Sequence, residues 1–180
     1  MPAHRQPKNI PWTGIIIALI GILFCLYASS DGGKSLCVTA GCALNKGFSI
    51  AGVSAWHIGA AAFALYVICG LALGKKTALP LAAIYLAGDC LFLLLMGLTL
   101  PCVPCLIAGL LFALMLIATG GADSERGRRG KYSLMLGIWG ILFVLNLVLA
   151  AKEYAAPKPM FGTSEAAIKI YFSPSCPACN

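Results

Sequence analysis

Charge is scarce in this chain. Of its 180 residues only 11% are Asp, Glu, Lys or Arg, while 60% are hydrophobic. A water-soluble domain carries about a quarter charged residues, so lipid is the solvent that suits most of this surface. Acidic residues are scarcer still, six against 13 basic ones, for a net charge of +7. That excess does not mark a nucleic-acid partner, because the basic residues fall in short clusters between apolar runs with no aromatic platform beside them. Cysteine occurs nine times, short of the ~8–10% of a scaffold built on disulfides. A small-x-small cleavage site is missing after the first apolar run, and that run is longer than a signal-peptide core, so no cleavable signal is expected. Period-two alternation, the mark of barrel strands, is missing from the apolar runs.

What is present is five uninterrupted apolar runs, at 12–28, 50–73, 78–98, 103–119 and 132–151. About 20 apolar residues, with ~17 as the lower limit, cross a hydrocarbon core of roughly 30 Å as a helix, and a helix satisfies its own backbone groups. The runs predict an all-α membrane protein with five transmembrane helices. Spans one to four are expected to form a four-helix bundle around an apolar pocket, with the fifth span peripheral. Residues 1–151 make up this transmembrane domain and 152–180 a linker and tail, so no large soluble domain is expected.

The basic clusters orient the spans, since the ends rich in Lys and Arg stay in the cytoplasm. Arg5 and Lys8 precede the first span, Lys75 and Lys76 follow the second, and Arg126, Arg128, Arg129 and Lys131 separate the fourth from the fifth. All three clusters fall on one side, which places the N-terminus in the cytoplasm and the C-terminus outside. Cysteine played no part in that assignment, yet the paired cysteines gather on the extracytoplasmic side: Cys37 and Cys42 in the first outer loop, Cys102 and Cys105 at the outer entrance of the fourth span, Cys176 and Cys179 in the tail. Cys25, Cys69 and Cys90 fall inside spans, where a free cysteine behaves as a small hydrophobe.

Cys102-Val-Pro-Cys105 at a helix start has the features of a redox-active dithiol. The positive end of the helix stabilises a thiolate, the spacing permits a compact disulfide, and Pro104 suits a first turn that has no use for its missing N–H. The pair Cys37 and Cys42 either braces an outer loop or lies over the membrane surface and brings a thiol to Cys102 for exchange. In the tail, Ile168, Ile170 and Phe172 alternate with polar or amphipathic neighbours as in a strand, and the Cys176-Pro-Ala-Cys179 motif follows at once. This looks like the first strand and active-site turn of a thioredoxin-like domain, either cut from a longer protein or carried as a flexible tail.

With these residues in place the chain resembles the bacterial vitamin K epoxide reductase homologues, membrane enzymes that couple disulfide formation to quinone reduction. The likeness lies in the order of parts: a cysteine pair after the first helix, an apolar helix through Gly59 and Tyr66, a CxxC heading the fourth helix, a fifth helix and the start of a thioredoxin-like segment. The resemblance implies a quinone pocket in the bundle, with ubiquinone or menaquinone as the electron acceptor. It implies that Cys105 faces the quinone, that Cys102 is its disulfide partner, that Cys42 exchanges with Cys102, and that Cys37 meets a thioredoxin-like or DsbA-like partner, fused or separate. The bacterial inner membrane is the implied location. The chain departs from the family pattern at Phe48 and Ser54, and Gly109 stands where some members carry a Tyr.

Two polar groups fall inside the spans. His57, early in the second span, either faces the bundle near Cys105 as a quinone contact or bonds a neighbouring carbonyl at the interface. Asp89, near the middle of the third, is expected to be neutral or paired within the bundle, with a structural hydrogen bond favoured over a catalytic role. The alternative function is metal handling, with cysteine pairs as soft-ion ligands. Transport would want ligands along a path through the membrane, and the spans offer few, so no resident metal is expected.

Overall fold

The computed structural model describes residues 10–30, 49–50, 52–99, 101–120 and 126–155. Five helices carry the fold, each long and apolar enough to cross a membrane: α1 Trp12–Ser29, α2 Ala55–Ala72, α3 Lys75–Leu98, α4 Val103–Gly120 and α5 Arg126–Ala155. The expected all-α architecture of a multi-pass membrane protein is what the chain adopts. Helices α1 to α4 close into a ring in which each packs on its two neighbours, and α5 lies outside the ring, mainly against α3 and to a lesser extent α4.

The second span differs from the expectation that it begins at residue 50. Two short antiparallel strands, β1 Ser49–Ile50 and β2 Val53–Ser54, precede α2. Gly52 turns the chain between them at a φ of 81°, a backbone region open to glycine at little cost. Ser54 then starts the helix by accepting the Trp56 N–H at 3.3 Å, as an N-cap residue does. Apolarity alone ran through this hairpin and could not mark the change. Elsewhere the helices agree with the expected spans to within a residue, except that α3 starts earlier, at Lys75, and α5 begins within its basic cluster at Arg126 and runs on to Ala155.

Small residues hold the ring together. The inward stripe of α1 includes Gly14, Ala18, Gly21, Cys25 and Ala28, recurring every three or four residues. In lipid there is no hydrophobic drive between helices, so close backbone approach supplies the attraction. Phe63 of α2 uses the space at Gly21, where a Cβ would stand 2.7 Å from three of its ring atoms. The same ring stacks on Phe112 of α4, with centroids 4.3 Å apart, and Phe112 meets Tyr85 of α3 at 5.8 Å. An aromatic layer thus crosses the middle of the ring. The outward faces carry exposed leucines and isoleucines, such as Leu23, Ile68, Ile84 and Ile141, a surface that only lipid solvates without penalty.

Candidate functional site at the start of the fourth helix

The turn from α3 into α4 sets the site. Cys102 precedes the helix, and its carbonyl accepts the Leu106 N–H at 3.1 Å, which makes Cys102 the N-cap residue and Cys105 the third residue of the helix. Side chains at these two positions converge, the geometry that a capping box exploits. Here the converging groups are thiols: neither cysteine is in a disulfide, and their side chains hydrogen-bond to each other. Pro104 occupies the second helical position at no hydrogen-bonding cost. Pro101, Cys102, Pro104, Cys105 and Leu106 are all buried, so the dithiol is sheltered by packed side chains.

Beneath it lies a carboxyl group. Asp89 belongs to the inward stripe of α3, together with Ala82, Leu86, Leu93 and Met96. Its Oδ2 accepts the indole N–H of Trp139 from α5 at 2.7 Å, so the expectation of a hydrogen bond within the bundle holds. Gly109 makes room for the carboxyl, because a Cβ there would stand 2.5 Å from Asp89 Oδ2. Gly109 is one helical turn after Cys105 on the same face of α4. The Asp89 carboxyl and the Cys25 thiol both lie within electrostatic reach of Cys105. Cys25 itself packs against Gly59 of α2. One turn deeper on α3, the Tyr85 hydroxyl is buried with no hydrogen-bond partner among the described residues.

The opposite end of the ring also buries polar groups. The hydroxyls of Tyr66 and Thr119 bond to each other at 2.5 Å, and Thr119 donates onward to the Met115 carbonyl at 2.6 Å. Back on the dithiol side of Asp89, Asn146 of α5 donates to the carbonyls of Leu93 and Leu142, each at 2.9 Å, and thereby gives the fifth helix a second polar attachment to α3.

The other expected site residues fare differently. Cys37, Cys42, Cys176 and Cys179 lie outside the described residues. His57 is exposed, off the inward stripe of α2 that runs through Trp56, Phe63, Tyr66 and Gly70, and the structure does not bring it to the dithiol. Cys69 and Cys90 are half-buried. Among the described residues no three His, Cys, Asp or Glu side chains come together as a metal site would require. Sequence reasoning missed Trp139, whose indole reaches Asp89 across fifty residues of chain; a tryptophan in mid-span marks a side chain in need of a polar partner but not which one. Comparison with protein-family models, with curated proteins and with solved structures gives no match.

Proposed function

We propose that this chain is a membrane thiol–disulfide oxidoreductase that passes electrons to a quinone. More particularly, it would be an enzyme of the vitamin K epoxide reductase type, seated in the bacterial inner membrane with its N-terminus in the cytoplasm and its dithiol at the extracytoplasmic side. The observation that carries the reading is the pair of reduced, mutually hydrogen-bonded thiols of Cys102 and Cys105, buried at the N-terminus of a membrane helix. A dithiol brought together in this way gains little as packing and closes readily into a disulfide.

The residues around it fit a quinone. Around and below the dithiol and Asp89 the interior is otherwise apolar and aromatic, with Leu106, Phe112 and Phe63, and the unpartnered Tyr85 hydroxyl can donate to a carbonyl oxygen. A bound quinone supplies a sink for two electrons and two protons. Cys105 would pass electrons to it, while Cys102 closes the disulfide and later exchanges with an incoming thiolate. Cys42 would deliver that thiolate, Cys37 would receive electrons from a thioredoxin-like partner, and Cys176 with Cys179 would be such a partner's redox pair. The test is quinone reduction by the purified full-length protein supplied with a reduced thioredoxin-like protein. Turnover that needs both Cys102 and Cys105 is the expected result; no turnover with either ubiquinone or menaquinone analogues would refute the reading.

A further inference from the structure

Asp89 is an expensive residue to keep where it is. It is 8% exposed and stands among leucines in the core stripe of α3. An ionised carboxylate inside a membrane bundle is costly, and a single indole hydrogen bond offsets only part of that cost. As a helix fastener it has a cheaper substitute in the same protein, since Asn146 ties α5 to α3 with an uncharged amide. What the carboxyl has that an amide lacks is the ability to take up and return a proton.

Its place suits that use. The carboxyl lies over Gly109, one turn below Cys105, in the space a side chain at residue 109 would fill, and Trp139 fixes its Oδ2. Residues four apart on a helix have Cβ atoms about 5–6 Å apart, so rotation of the Cys105 side chain or one bridging water completes a proton path. We propose that Asp89 is the proton acceptor for the Cys105 thiol, with Trp139 and Gly109 as the residues that position it.

Closing the disulfide breaks two S–H bonds, forms one S–S bond and releases two electrons and two protons. Sulfur attacks as the thiolate, so the Cys105 proton must leave first, and Asp89 takes it. In the quinone reaction, on which this part of the inference rests, both electrons and both protons end on the quinone as quinol. With diamide as oxidant they end on its N=N bond as the hydrazine, which allows the step to be followed without quinone.

Full-length protein in nanodiscs is reduced, freed of reductant and mixed with diamide, and closure of Cys102–Cys105 is read by peptide mapping after an acid quench. Asp89→Asn is expected to slow closure roughly a hundredfold, and Gly109→Ala, which displaces the carboxyl without removing it, about tenfold. Asn146→Leu, which loosens the same helix pair away from the carboxyl, should leave the rate unchanged. Closure within about twofold of wild type in Gly109→Ala, and in Asp89→Asn where that variant folds, overturns the inference. The same proteins are then given a short-chain quinone. If wild type reduces no quinone while diamide closure still slows in the variants, the proton acceptor stands and the quinone reading falls. If wild type reduces quinone and the variants match it in both assays, the inference falls and the quinone reading stands.

Discussion

At the C-terminal end of α4, Tyr66 and Thr119 bury two hydroxyls and bond them to each other and to a helix carbonyl. At its N-terminal end, roughly 20 Å away at ~1.5 Å per residue, Cys102, Cys105 and Asp89 are buried as well. There, however, the polar groups keep unused chemical capacity: two S–H bonds that can be oxidised and a carboxyl held by one indole. The first end meets the requirement that polar groups in a bundle find partners; near the second, the Tyr85 hydroxyl has none among the described residues. The closed pair at one end explains packing and nothing more. The open set at the other end is costlier than packing requires, and a cost of that kind marks a place where function is to be sought.

The sharpest break of this comparison is at the thiols. Cys102→Ala and Cys105→Ala should each abolish quinone reduction, whereas Tyr66→Phe at the far end should retain it, as should Cys25→Ala, Cys69→Ala and Cys90→Ala; parallel turnover assays with excess dithiothreitol check all of them. In the Cys105→Ala protein, Cys102 cannot re-form its own bridge, so a Cys42–Cys102 cross-link should accumulate in non-reducing peptide maps. Next in size is the seam between the two ends. Gly21→Val would drive a branched side chain into the Phe63 ring and should cost about 1–3 kcal/mol, read as a lowered unfolding midpoint in mixed micelles. Smallest is the closed pair itself. Tyr66→Phe removes one interhelical hydrogen bond, worth about 0.6 kcal/mol on average in a membrane bundle, and a denaturant series in the same micelles should show a shift of that order.

Much of the fold was legible, because a span declares itself through an unbroken apolar run and the rest follows from length. The start of α2 was not, since Ile50 and Val53 are as apolar as a helix start, and only the positive φ at Gly52 and the cap at Ser54 reveal the hairpin. The dithiol was legible from its spacing and its proline. His57 shows the limit of depth alone: a position early in the span leaves a bundle-facing and an interfacial histidine equally open, and the period through Trp56, Phe63, Tyr66 and Gly70 puts it off the inward stripe. The partnership of Asp89 with Gly109 and Trp139 joins three helices, and no local pattern encodes contacts of that range.

The way α5 is fastened bears on how the protein is made. Trp139 and Asn146, two turns apart on one face, reach Asp89 and the Leu93 carbonyl on α3, while Gly97 lies against the Asn146 amide. Synthesis delivers α5 after α1 to α4, which can already have closed their ring. Helix α5 then arrives at a prepared groove and is recognised through two hydrogen bonds, which set both its rotation and its depth in the bilayer. Until it docks, the Asp89 carboxyl lacks its indole partner, so assembly of the buried carboxyl beside the dithiol is complete only when translation has passed Trp139.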